Sequence, residues 1–263
     1  MSDLFHVRHG TGRPVVVLHG GLGLDHAYMR ALDRLADVAE LIYVDLRGNG
    51  RSPRPPAASI AAMADDVDAL RAHLGFEQWS VVGHSYGSFI ALTYAIRHPD
   101  RVAGLVAIGT SGAFDHAGAV VENVNKRGQP AAAAALLAVL GQPVRDDAQL
   151  AEVWPQILPL YFHRWQPAYL DVIAGTRISA EGYNRGNELL ATYDVRGELA
   201  SITAPTLVVS GDDDFITPVE VCGARVAAGI AGSRHAVIAG SGHYPFREAP
   251  AAFDAELRAF LTA

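Results

Sequence analysis

Short, nearly unbroken apolar runs alternate along this chain with longer segments in which apolar positions return every three or four residues. Val15-Val16-Val17-Leu18, Leu41-Ile42-Tyr43-Val44, Trp79 to Val82, Val102 to Ile108 and Thr206 to Val209 are the short runs. Such runs predict strands covered on both faces of a sheet. Between them, His26 to Leu35 carries Tyr28, Met29, Leu32 and Leu35 at helical spacing, and Ile60–Leu74 and Tyr86–His98 follow the same period. A helix from Pro218, a strand near His235–Ile238 and a closing helix from Arg247 to Leu261 complete the pattern. Strand and helix in alternation predict an α/β fold: a mostly parallel sheet with helices on both faces. Leu4 to His9 reads as one more strand, joined through Gly10-Thr11-Gly12-Arg13-Pro14 to Val15–Leu18 as a hairpin.

The alternation stops after Ile108 and resumes only at Pro205. In between, Pro130–Leu140, Asp147–Phe162 (interrupted by Pro155 and Pro159), Gln166–Ala174 and Ser179–Tyr193 all read as helices. The expected organisation is a core of residues 1–111 and 202–263 with a helical cap, a lid, inserted at 112–201. No internal repeat is visible.

The polar and glycine-rich loops fall where strands end, which is where open parallel sheets bind ligands. Trp79-Ser80-Val81-Val82-Gly83-His84-Ser85-Tyr86-Gly87 runs from a strand through Gly-x-Ser-x-Gly into a helix. A sharp strand-to-helix turn is what lifts a serine hydroxyl into the open beside a base. His19-Gly20-Gly21-Leu22-Gly23, Asp212-Asp213-Asp214 and Gly240-Ser241-Gly242-His243 close the other strands.

In these four motifs, which follow one another along the chain as the His19–Gly23 loop, the Ser85 turn, the Asp212–Asp214 run and the His243 loop, the chain resembles the α/β-hydrolase superfamily over residues 10–111 and 202–263. The resemblance implies a Ser, Asp, His triad in chain order: Ser85 as nucleophile, His243 as base, and Asp214 as the acid that holds the histidine ring. Asp214 is selected within Gly211-Asp212-Asp213-Asp214-Phe215-Ile216-Thr217-Pro218 by likeness to the family's Gly-x-x-Asp-x-x-x-Pro; Asp115 occupies an alternative acid position of some relatives. Two backbone N–H groups are expected to hold the oxyanion: that of Tyr86 and that of Gly21, with Leu22 as second choice. His19 is read as a structural hydrogen-bonding residue and His84 as a packing residue. Asp45 to Ser52 resembles a family loop whose charges pin its neighbours.

A serine at the elbow excludes the dehalogenases and epoxide hydrolases that attack with aspartate, leaving esters, lactones, amides or activated carbon–carbon bonds. The elbow, the Asp45–Ser52 run and Arg97-His98-Pro99-Asp100-Arg101-Val102 are similar to the proline iminopeptidase-like group. The chain departs from that group at Leu22, where proline is common, and at Tyr86, where tryptophan is. A carboxylesterase or lactonase is expected first, an aminopeptidase or amidase second, and a carbon–carbon bond hydrolase or a binding protein without chemistry after these. The cap offers Trp154, Tyr161, Phe162, Trp165 and Tyr169 as walls for a small-molecule substrate with an apolar acyl part. An aminopeptidase would need carboxylates for the substrate ammonium, and Glu181, Glu188 and Glu122 are the candidates, with Arg185 placed to neutralise the first two.

Composition narrows the partners. With 263 residues, half of them hydrophobic, the chain can bury a full core. A formal charge of −7 with one lysine, Lys126, argues against nucleic acid or an anionic membrane as partner. Cys222 is the single cysteine, so no disulfide framework exists and a reducing, cytoplasmic location is expected. Met1 to Phe5 lacks the pattern of a signal peptide. The histidines show no metal-ligand spacing, so neither metal nor cofactor is expected.

Overall fold

A computed structural model describes residues 4–53 and 55–263; Met1 to Asp3, where the reading of the N-terminus begins, lie outside the described residues. Seven strands form one sheet: β1 (His6–His9), β2 (Arg13–Leu18), β3 (Ala39–Val44), β4 (Trp79–His84), β5 (Val102–Ile108), β6 (Thr206–Gly211) and β7 (Arg234–Ile238). Their spatial order is β1-β3-β2-β4-β5-β6-β7. Every pairing is parallel except β1 with β3. From β2 the chain steps outward to β3, then crosses back to β4 on the other side and continues to β7. The carboxyl ends of β2 and β4 therefore flank the point where the winding reverses, and connections leaving in opposite directions open a crevice there.

The strands are apolar on both sides because both sides are covered. Val15, Val17, Leu41, Tyr43, Val82, Val106, Leu207 and Val209 pack into one buried cluster. Their alternates Val16, Leu18, Ile42, Val44, Val81, Leu105 and Val208 pack into the other. Helices α1 (Ile60–His73) and α2 (Tyr86–Arg97) pack together and bury Met63, Val67, Ile90 and Leu92 in the second cluster. Ser59 caps α1 by accepting the Ala62 N–H.

The expected hairpin does not form. β3 lies between the two strands, pairing antiparallel with β1 (Val7 opposite Tyr43) and parallel with β2 (Val17 opposite Tyr43). The physical reason is burial: Leu41–Val44 is apolar on both faces and takes an interior place, while half-exposed β1 takes the edge. Other differences are smaller. His26–Leu35 winds as a 3-10 helix, capped by Asp25. The helix expected from Pro218 begins at Gly223 (α7, Gly223–Gly229). The closing helix breaks at Ala249, before Pro250, into α8 (Pro245–Glu248) and α9 (Pro250–Leu261), as the bias of a residue preceding proline requires.

Between β5 and β6 run α3 (Ala117–Lys126), α4 (Pro130–Val139), α5 (Asp147–Ile157) and α6 (Ala180–Leu190), with 3-10 turns at Leu158–Tyr161 and Pro167–Val172. Helix α3 escaped the sequence reading. An isolated antiparallel bridge, Ala113 with Asp194, ties the two ends of this segment together. Among the described residues no helix is long and apolar enough to cross a membrane.

Candidate active site

Ser85 stands between β4 and α2 with φ +53° and ψ −123°, the one non-glycine residue of positive φ among those described. A conformation this sparsely populated persists only where its surroundings impose it. Ser85 N–H donates to the Ile108 carbonyl at 2.8 Å, tying the turn to β5. The Ser85 carbonyl accepts both the Ser88 N–H (2.8 Å) and the Ser88 hydroxyl (2.6 Å). Two glycines are needed because the backbones touch. A Cβ on Gly83 would overlap the Gly87 carbonyl, and one on Gly87 would overlap those of Leu18 and His19. Tyr86, the first residue of α2, has an N–H with no carbonyl one turn earlier in its own helix.

Three consecutive aspartates at the end of β6 do three different jobs. The Asp212 carboxylate accepts Gly240 N–H (3.0 Å) and Ser241 N–H (3.1 Å), shaping the loop that carries His243. Asp213, half exposed, pairs with Arg127 and His163 at 3.0 Å each. Asp214 is buried and turns to His243: Nδ1–H donates to Asp214 Oδ2 at 2.7 Å. Its other contacts are all donors, namely Thr217 hydroxyl (2.6 Å), Ile216 N–H (3.0 Å) and Thr217 N–H (3.1 Å). Burial alone would push this carboxyl up; the His243 ring and the Thr217 donors outweigh it and hold the pKa down at about 2. With Nδ1 committed to a carboxylate, His243 keeps a lone pair on Nε2. Asp115, the alternative acid, is exposed and bound to Arg196 at 2.6 Å.

His84 does more than pack. Its Nε2 lies 2.8 Å from the His243 carbonyl oxygen, which can only accept, so Nε2 carries the proton and Nδ1 accepts. The Tyr28 hydroxyl therefore donates to Nδ1 (2.8 Å), and the Gly20 N–H donates to that hydroxyl (2.6 Å). Burial, and next the nearby His243, drives the His84 pKa well down, so the ring stays neutral. The relay joins the loops after β2, β4 and β7. On its other side the His243 N–H donates to the Tyr161 carbonyl at 2.7 Å.

The remaining motifs are structural. His19 Nε2 accepts the Leu46 N–H at 3.1 Å. Asp45 accepts from the His26 ring (2.5 Å) and the Arg51 N–H (2.8 Å), and Arg47 pairs with Asp66 at 2.6 Å. Asp25, His26 and Asp45 bring potential ligand atoms within 4.8 Å of one another. Asp25 is already engaged by the Ala27 and Arg177 N–H groups, and His26 by Asp45. Burial pushes the Cys222 thiol up to about 12.

Ser85, His243, Gly21, Leu22 and Tyr86 line one cavity. Its walls are mostly apolar: Phe89 and Phe114, Leu136, Val139 and Leu140, Trp154, Ile157 and Tyr161, Tyr183 and Leu190, Ile216 and Tyr244, with Asn187 and Thr217 as polar side chains among them. Of the five aromatic residues expected there, Trp154 and Tyr161 are present. Phe162, Trp165 and Tyr169 are not among the lining residues. Phe162 is stacked between Tyr169 (4.3 Å) and Tyr244 (5.1 Å), with Trp165 against it at 5.5 Å, so these three pack the helical segment onto the His243 loop. The aliphatic walls were missed, although spacing could have found them: Leu136, Val139 and Leu140 share a face of α4 and its end, and Tyr183, Asn187 and Leu190 a face of α6. Glu181, Glu188 and Glu122 are exposed and line no part of the cavity; Glu188 pairs with Arg185 and Glu122 with Lys126.

Comparison with known proteins agrees with this architecture. The family model for the alpha/beta hydrolase fold matches residues 13–250, and the chain belongs to that family. A proline iminopeptidase, PfmaB of Pestalotiopsis fici, is 30% identical over 78% of the chain and 76% of its own length. RutD of a Caulobacter species, named provisionally as a carbamate hydrolase, is 29% identical over 100% of the chain and 97% of its own length. Among solved structures, an esterase from Thermogutta terrifontis superposes with a TM-score of 0.78 at 29% identity, covering 98% of this chain and 93% of that one. The protein is a hydrolase of this fold.

The relay makes a stability prediction. Tyr28→Phe leaves the Gly20 N–H and the His84 Nδ1 lone pair buried without partners, so it should cost about 1–3 kcal/mol, read as a lower denaturation midpoint at unchanged m-value. A variant as stable as wild type would show that the relay contributes nothing net.

Proposed function

We propose that the protein is a serine hydrolase that cleaves an apolar carboxylic ester or lactone through an acyl-enzyme, with residues 112–201 serving as a substrate-selecting cap over the core. The observation that carries the reading is the strained Ser85 turn, which lines the same cavity as His243, whose second nitrogen is held by buried, ionised Asp214. In this reading Ser85 Oγ bonds to the substrate carbonyl carbon while its proton passes to His243 Nε2. The carbonyl oxygen becomes an oxyanion, held by the N–H groups of Tyr86 and of Gly21 or Leu22. The tetrahedral centre collapses, the carbon–oxygen bond to the alcohol breaks, and His243 returns the proton to that leaving oxygen. Water then attacks the acyl-enzyme, gives its proton to His243, and the acid departs as Ser85 is reprotonated. Asp214 fixes the tautomer and stabilises the imidazolium while remaining a carboxylate.

The relatives leave amide, carbamate and ester chemistry open, and the lining of the cavity supports the ester over the aminopeptidase reading. An aminopeptidase must fix a buried ammonium, yet no aspartate or glutamate lines the walls. The ester or lactone reading needs only an apolar surface and the oxyanion donors. It takes a small-molecule substrate and neither cofactor nor metal.

Ser85→Ala should lower kcat on a short-chain p-nitrophenyl ester by at least about a thousandfold with the fold intact, and the wild type should be labelled by a fluorophosphonate probe. Retained activity or an unlabelled wild type would refute the nucleophile. The ester should exceed prolyl-naphthylamide in kcat/KM by at least about tenfold, since an unpaired buried ammonium costs several kcal/mol; the reverse order would favour the aminopeptidase. The pH profile follows from the sign of one shift. Asp214, held at about 2, stays ionised throughout the assayable range, so its protonation should add no second ionisation to the acid side of the kcat/KM profile. A limb that needs two ionisations would contradict this.

A further inference from the structure

Two hydrogen-bond donors in the cavity wall have no partner in the protein. Trp154 Nε1–H, on α5, and the Asn187 Nδ2 amide, on α6, are both buried and unbonded. Among the described residues, they are the only buried unpartnered side-chain atoms that belong to residues lining the cavity. The two helices that carry them, α5 and α6, are in contact. Their neighbour Tyr183 donates its hydroxyl proton to the Val139 carbonyl at 2.7 Å and lies close enough to interact with the Asn187 amide, which can occupy at most one of that amide's two N–H groups.

A buried donor without an acceptor is costly and rare in folded proteins, and one placed in a binding wall has a reason to be there if the ligand brings the acceptor. We propose that Trp154 and Asn187 recognise an oxygen on the acyl part of the substrate, apart from the scissile carbonyl. The inference rests on the serine hydrolase reading and sharpens it. That oxygen is neutral, because no lysine or arginine lines the cavity and a carboxylate taken there would be buried without a counter-ion. The substrate class is thus an ester or lactone with a mostly hydrocarbon acyl chain that carries a keto, ether or second ester oxygen. Such a site discriminates strongly, since an analogue without the oxygen leaves the donors unpaired at the moment water is expelled.

The test uses p-nitrophenyl esters whose acyl chain carries a keto group, walked one carbon at a time, each paired with the unsubstituted ester of equal length. At one position the wild type should prefer the keto ester in kcat/KM by at least about tenfold, and Trp154→Phe and Asn187→Leu should each cut that ratio by about fivefold or more. If one variant fails to fold, the other carries the comparison, and the wild-type ratio needs neither. A ratio near one at every position overturns the proposal, as does a ratio unchanged in the variants. Hydrolysis of the unsubstituted esters that vanishes in Ser85→Ala keeps the serine hydrolase reading in place in that case. No hydrolysis of any ester removes both.

Discussion

The left-handed backbone at Ser85 is the constraint on which the rest of the site depends. A serine held at φ +53° costs on the order of 1–3 kcal/mol and would relax if its surroundings allowed. They do not. β4 is locked between β2 and β5, the Ser85 amide is tied to β5, and its carbonyl is taken twice by Ser88 in the first turn of α2. The sheet is rigid before the turn and the helix is rigid after it, so the strain has nowhere to dissipate. A consequence is that Tyr86 begins a helix with an N–H its own helix cannot use, beside the proposed nucleophile.

A second layer of order comes from the neutral His84 ring. Each hydrogen-bonding group in the chain from the Gly20 amide through Tyr28 and His84 to the His243 carbonyl has one defined role, fixed by the carbonyl oxygen at its end. The relay runs beneath the sheet's carboxyl edge and couples three loops separated by as much as 159 residues in sequence. Its polarity is the price of that coupling: fully satisfied, it holds the loops in one arrangement, and with one member lost it leaves buried donors and acceptors unpaired.

The core and the residues proposed to react each left a local mark in the sequence. Doubly apolar strands announce a covered parallel sheet, and Gly83, Ser85 and Gly87 announce a turn that only small residues permit. Asp214 was distinguishable from Asp212 and Asp213 only by family likeness, since all three are acidic neighbours and their division of labour is set by loops from elsewhere. The place of β3 between β1 and β2 was not legible, because pairing depends on which strand must be buried rather than on which is adjacent in the chain. The cavity walls failed for a related reason. Aromatic density drew attention to Phe162, Trp165 and Tyr169, which pack on one another, while the lining is built from single residues of several helices that share only a helical face. The role of His84 was invisible because its two partners, Tyr28 and the His243 carbonyl, meet it only in the fold.

The helical segment between β5 and β6 is bound to the site by its backbone as well as by its walls. Tyr161 lines the cavity with its side chain and accepts the buried His243 N–H with its carbonyl. Arg127 reaches from just beyond α3 to the Asp213 carboxylate and carbonyl and also donates to the Phe162 carbonyl. The acid loop and the histidine loop are thus both held by the segment that shapes the cavity. Lifting the segment at this edge would strand the His243 N–H without an acceptor, at a cost of about 1–3 kcal/mol, beyond the loss of the Phe162–Tyr244 stack. Helix α4, whose Leu136, Val139 and Leu140 meet the cavity, makes no side-chain hydrogen bond to either loop among the described contacts and is held instead to Tyr183 of α6, whose hydroxyl donates to the Val139 carbonyl. Cavity wall and proposed catalytic loop thus share one network, in which the backbone of Tyr161 is bonded directly to that of His243.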